Sequence, residues 1–175
     1  MKNLLDGSWE GTAPDVKLDS PKRVQSTDKI ISIFLYQIIK HPHLNNEEPQ
    51  NGEDVSQQEP ASLALELIFL VTPFGSDNED ELSMLGRVMQ IFYDNPVLTV
   101  DQTDDLIKDE DVKIKLTLEP MSFDDQTKIW SAFQDVGYKT SMSYKVSPVW
   151  IDSKRNISVQ RVASKEANKR IKDPK

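Results

Sequence analysis

The apolar residues of this chain fall into two dense runs and then a series of periodic segments. Residues 30–39 (IISIFLYQII) are almost unbroken apolar, rich in β-branched and aromatic side chains, and stop just before Pro42. At this length they read as a strand covered on both faces, with a buried helix the alternative that periodicity alone leaves open. Residues 62–71 place Leu63, Leu65, Leu67 and Phe69 on one face at period two, and Ala64, Ile68 and Leu70 make the other face mostly apolar. That is the pattern of a second central strand. Between the two runs, residues 45–60 (NNEEPQNGEDVSQQEP) carry a single apolar side chain, Val55. So little burial does not offset the entropy of ordering, which predicts a mobile loop joining two neighbouring strands.

From residue 82 the period becomes helical: Leu82, Leu85, Val88 or Met89, and Phe92 form one core-facing stripe. Ser76, with Glu79 three residues on, is placed to cap this helix, and Asp77, Glu79, Asp80 and Glu81 set negative charge at the positive end of its dipole. Asn95–Pro96 stops it. Gly86, in mid-helix, costs about 1 kcal/mol against alanine, and either marks the close approach of another backbone or carries no meaning. Val112, Ile114, Leu116 and Leu118 then alternate with Lys113, Lys115 and Thr117, a strand with one face wet or kept for a partner. Ser122 with Asp125 caps a second helix, whose face is Phe123, Ile129 (or Trp130) and Phe133, and Gly137 is placed for its C-terminal cap.

Residues 140–151 read as a last long strand with Met142, Tyr144 and Val146 on one side. Pro148 lacks an N–H, so that end is expected at an edge or a bulge. Residues 2–5 read as the end of a helix, 16–18 as a short strand and 157–162 as one more. The order of elements predicts an α+β domain over residues 1–152. It has a single mixed, largely antiparallel sheet with helices packed on one face, followed by a basic tail over residues 153–175.

Composition refines this picture. Hydrophobic residues make up 37% of the 175, low for a chain packed throughout, and no run approaches the roughly 20 apolar residues of a membrane span. The opening MKNLLDGSWEG has no apolar core, so no secretory signal is expected. The net charge of −8 is uneven: from residue 154 onward, eight basic side chains face two acidic ones, which leaves −14 on residues 1–153. An acidic body with a basic tail can join copies of one protein, although a solvated terminus has the same composition. Nucleic acid is a poor partner, because the tail has no aromatic residue to stack on bases and the body repels phosphate.

Candidate chemistry is sparse. There is no cysteine, and the two histidines, His41 and His43, flank Pro42 and read as surface-loop residues without a third ligand at a recognisable spacing. The chain contains no Gly-x-Ser-x-Gly elbow and no glycine-rich phosphate cradle. Acidic pairs such as Asp104–Asp105 lack the spacing of a calcium loop. The residues therefore point away from an enzyme, with no cofactor and no metal expected.

The succession IFLYQIIKHPHLNN, SLALELIFLVTPFG, MLGRVMQIFYDNPVL and LTLEPMSFDDQTKIWSAFQDVGYKTSMSYKVSPVWID resembles the N-terminal domain of the tail terminator (cap) proteins of extracellular contractile injection systems, phage-tail-like particles. The resemblance runs over about residues 30–152. It implies a sheet flanked by helices and a structural role: a ring, hexameric in the family, that closes the far end of tube and sheath, assembled in the cytoplasm. The partners implied are further copies of the chain and the tube and sheath proteins, with no nucleic acid and no membrane. An adaptor or baseplate protein of the same kind of particle is the alternative, because fold and surface would look alike. Family members open with a fuller N-terminal helix, of which only a last turn around Leu4 and Leu5 is recognisable, and residues 45–60 are longer than the family implies. A ring needs two different complementary surfaces on each subunit. Lys113, Lys115, Arg155, Arg161, Lys165, Lys169 and Arg170 are the expected interface residues, the tail residues reaching an acidic surface on a neighbour or on the sheath.

Overall fold

A computed structural model of the chain describes residues 1–9, 13–24, 29–44, 50–51, 57–59, 62–98, 113–134, 136–151 and 157–158. Its elements are α1 (Lys2–Gly7), β1 (Asp15–Lys17), a short 3-10 turn (Pro21–Arg23), β2 (Ile30–Lys40), β3 (Gln50–Asn51), β4 (Gln57–Glu59) and β5 (Leu63–Phe74). There follow α2 (Asn78–Asp94), β6 (Val97–Leu98), β7 (Ile114–Glu119), α3 (Phe123–Ser131), β8 (Met142–Ile151) and β9 (Ile157–Ser158).

Six strands make one mixed sheet in the order β1-β2-β5-β8-β7-β6. Only β1–β2 is parallel; every other pairing is antiparallel, which is the expected fold class. The two apolar runs are central neighbours, paired from Ile30↔Phe74 to Lys40↔Leu65. Tyr36 is the extra residue of a bulge, since the register steps from Leu35↔Phe69 to Gln37↔Ile68. A bulge rather than an edge also accommodates Pro148. β8 lies between β5 and β7, and opposite Glu66 its register steps from Val146 to Val149, while β7 pairs no further than Ser147. Neither neighbour therefore pairs with Pro148, the residue without a donor.

The sheet is covered on both faces, and this corrects the expectation of helices on one side. On the first face, Leu5 of α1 and Val88, Ile91 and Phe92 of α2 pack with Ile31, Ile33, Val71, Ile114, Leu116, Tyr144 and Val146. On the second face, Trp130 and Phe133, from α3 and the turn after it, pack on Leu70, with Phe34 and Tyr36 against them. The cause lies in β2 and β5. Both strands are apolar on two faces, so one helical layer leaves the row of Phe34, Ile68 and Leu70 in water, at a cost of about 25 cal/mol per Å². One polar contact ties α3 to this side of the sheet, Gln126 Nε2 donating to the Ser141 carbonyl at 3.1 Å, while the Tyr36 and Ser143 hydroxyls, 2.9 Å apart, join β2 to β8 beneath it.

Local chemistry accounts for the helix ends. Asp77, not Ser76, is the N-cap of α2, and its Oδ1 accepts the Asp80 N–H at 2.8 Å. Ser122 caps α3 as expected, accepting the Asp125 N–H at 3.2 Å. Gly137 does not cap α3, which ends earlier through tight i→i−3 bonds from Ala132 to Ile129 and from Phe133 to Trp130. Within the segment expected to be a mobile loop, β3 and β4 pair with each other, and β4 pairs with β9. These short strands form a second, three-stranded sheet. Of the extra strand expected over residues 157–162, the first two residues form β9, and 159–162 lie outside the described residues.

Candidate assembly surfaces

Of the residues expected at an interface, Lys113 and Lys115 are exposed. Lys115 stands between Val97 and Ser147 in the register of β6, β7 and β8, on the second face of the sheet. Thr117 beside it is exposed too, so the wet face read from the alternation exists. It continues through an ionic row: Lys145 Nζ lies 3.4 Å from Glu119 and 3.9 Å from Glu66. Arg155, Arg161, Lys165, Lys169 and Arg170, the basic tail, lie outside the described residues. Of the expected cations the described residues thus place only Lys113 and Lys115.

His41 is more structural than the surface-loop reading, whereas His43 is exposed in a bend as expected. His41 is largely buried; its Nδ1 accepts the N–H groups of His43 and Leu44, both at 3.2 Å, and its Nε2 faces Glu66 at 3.7 Å. This arrangement ties the end of β2 to β5. Among the described residues no three His, Asp or Glu side chains converge as metal ligands, and no helix is long and apolar enough to cross a membrane.

A hollow of about 330 Å³ is lined by Trp9, Pro14, Lys29, Asp80, Ser83, Met84 and Arg87. Its charges are already engaged. Lys29 Nζ donates to Asp80 Oδ1 at 2.5 Å, and this bond above all holds the Asp80 carboxyl below its ordinary range; burial pulls the other way and contacts from Ser76 add to the lowering. Arg87 donates to Gln90 at 2.8 Å and to the Ser8 carbonyl at 3.3 Å, joining α2 to the end of α1. Such a hollow braces the start of α2, and its lining holds no free nucleophile beside a base.

The surfaces that stand out are apolar. Leu82, Met89 and Tyr93, exposed to 48%, 40% and 85%, lie along the outer side of α2. Leu35, Ile38, Leu63 and Ile151 are exposed at one end of the sheet, and Phe123 with Tyr138 forms an edge-on aromatic pair, 6.1 Å apart, beside α3. The reading from sequence placed Leu82 in the core, left Val88 or Met89 open for the next turn, and passed over Tyr93. The usable signal was the second stripe Leu82, Gly86, Met89, Tyr93, spaced 4, 3 and 4 residues apart and so aligned within one helical face.

Comparison with known proteins agrees with the fold. The structure is similar to a sheath/tube terminator of an extracellular contractile injection system (PVC, extended state, by electron cryo-microscopy), with a TM-score of 0.68 and 17% identity over 99% of this chain. It is also similar to the anti-feeding prophage cap, a tube terminating cap, with a TM-score of 0.65 and 17% identity over 94% of this chain. The chain spans 61% and 57% of the length of those two proteins. No curated protein matches the sequence significantly. A family model described as the Pvc16 N-terminal domain matches residues 1–165, and the chain belongs to that family.

Proposed function

We propose that this chain is a structural part of the terminator that closes the tube and sheath of an extracellular contractile injection particle, and that it works through its surfaces rather than as an enzyme. One observation carries the reading: nearly the whole chain shares its fold with two solved terminators, and its family is that of the Pvc16 N-terminal domain. A sheet braced by helices on both faces makes a stiff tile, as a component stacked against a tube requires.

In this reading the partners are further copies of the chain, in a hexameric ring, together with the tube and sheath proteins; assembly takes place in the cytoplasm, and neither nucleic acid nor membrane takes part. The contacts within a ring are heterologous, one surface of each copy meeting a different surface of the next. The tail, with Arg155, Arg161, Lys165, Lys169 and Arg170, reaches an acidic surface on a neighbour or on the sheath, and Lys113 and Lys115 add charge on the wet face of the sheet.

Particle length and position test this. Deleting the gene from particle-producing cells is expected to give tails of irregular length, and a label on the protein is expected at the end away from the target. Unchanged lengths, or a label at the baseplate, overturn the reading. Removal of residues 159–175, which leaves β9 in place, tests the last four of these cations: regular capped tails without them mean that they are not the joint.

A further inference from the structure

The outer stripe of α2 and the uncovered end of the sheet are two different apolar surfaces on one chain, and each lacks what the other supplies. α2 turns Val88, Ile91 and Phe92 inward to the core and Leu82, Gly86, Met89 and Tyr93 outward. A helix apolar on two sides is one that is buried on two sides. A side chain at Gly86 would meet nothing within 4 Å, so the stripe has a flat centre on which another surface can lie close.

The sheet end has the complementary form. Leu35 pairs with Phe69 and Ile38 with Leu67, and both partners pack against the helix-covered core. Leu63 follows at period two and stands opposite Ile151. These four exposed side chains are therefore a continuation of the same face that α1 and α2 cover farther along. Among the described residues no helix reaches this part of the sheet, which offers floor of the kind α2 already packs on. Charge agrees: Lys40, exposed, lies on this face opposite Leu65, while exposed Glu79 and Asp94 flank the stripe on α2.

We infer that the occupant of each surface is a second copy of this chain: the outer stripe of α2 from one copy lies on the bare sheet floor of the next, copies overlapping like shingles. The inference rests on the terminator reading and names the contact that would build its ring. Because the surfaces differ, the contact is head-to-tail and propagates from copy to copy until it closes.

The test is complementation between two surface variants of the full chain, Met89→Lys on the stripe and Ile38→Lys on the floor, with mass measured in solution. Both residues are exposed, so thermal unfolding is expected to match wild type. Wild type is expected to form a closed oligomer and each variant alone a monomer. An equimolar mixture is expected to give a one-to-one dimer and nothing larger, because only one intact stripe and one intact floor remain to meet. A misfolded variant cannot form that dimer, which separates broken contact from broken fold. Closed oligomers from either variant alone overturn the inference, as does a monomeric wild type. If both variants keep the wild-type oligomer but lose binding to tube or sheath, the surfaces serve those proteins and the inference fails while the terminator reading stands. If wild type leaves tail length unregulated in particle-producing cells, it is the terminator reading that fails.

Discussion

Phe92 of α2 stands edge-on to Tyr144 of β8, with 4.8 Å between ring centroids and 85° between planes. Both are buried, and the pair joins the helix to a strand in the middle of the sheet. Edge-to-face rings at this distance add about 0.5–1.5 kcal/mol to what their burial supplies. Phe92→Ala is expected to cost about 3–5 kcal/mol, since the cavity it leaves is walled by sheet on one side and helix on the other. Denaturant titration of the two proteins measures it.

Tyr144 itself gives a pH signature. Burial raises its phenol above the ordinary value of 10.0. In the unfolded chain the group ionises earlier than in the folded one, so above about pH 10 the unfolded state binds fewer protons and stability falls as pH rises. Titration followed by absorbance at 295 nm should show one of the 4 tyrosines ionising late, together with the loss of structure. Tyr144→Phe should remove that late component.

At the acid end the sign reverses. Lys29 holds the Asp80 carboxyl below its ordinary value of 3.8, so the unfolded chain takes up this proton first. The contribution of the pair is present above about pH 4 and disappears as pH falls through the folded value. Asp80→Asn is expected to be less stable than wild type at pH 7, with a smaller gap at pH 3. Denaturation midpoints at the two pH values check this; a gap that is constant with pH means that the ion pair contributes nothing.

The two candidate caps of α2 separate by substitution. Asp77 accepts the Asp80 N–H at 2.8 Å, whereas the Ser76 hydroxyl reaches only side-chain oxygens, at 3.3 and 3.4 Å. Asp77→Ala should cost about 0.5–2 kcal/mol, and Ser76→Ala distinctly less. Urea midpoints of both variants decide between them, and an equal loss would mean that the cap is shared.

Much of the fold was legible because it depends on local pattern. The period-two and apolar runs of β2, β5, β7 and β8 and the Ser122 cap follow from neighbours within a few residues. What the pattern misplaced depends on distant partners. β3 and β4 form in a polar segment because β4 finds β9 about a hundred residues later in the chain, a pairing no local composition reveals. Helical period shows that α2 and α3 have apolar faces but not which side of a sheet each covers. The side follows from β2 and β5 being apolar on both faces. The assembly surfaces were legible least. Periodicity does report Leu82, Met89 and Tyr93 as a stripe, yet it cannot tell a stripe facing the chain's own core from one facing another molecule.

Gly86 lets stability and assembly be read separately. Nothing lies within 4 Å of the position its Cβ would take, and it sits in the interior of a 17-residue helix. Glycine there is worse than alanine by about 0.8–1 kcal/mol, because it leaves more backbone freedom to be lost on folding. Gly86→Ala is therefore expected to raise the stability of the isolated chain by nearly that amount, measured as an increase in denaturant midpoint at unchanged slope. If the stripe on α2 packs against another copy, the methyl group enters that contact, and Gly86→Leu should weaken self-association while keeping the gain in chain stability. A variant that is both more stable and less associated separates the two roles of α2, whereas Gly86→Leu oligomers as tight as wild type would place the contact elsewhere on the molecule.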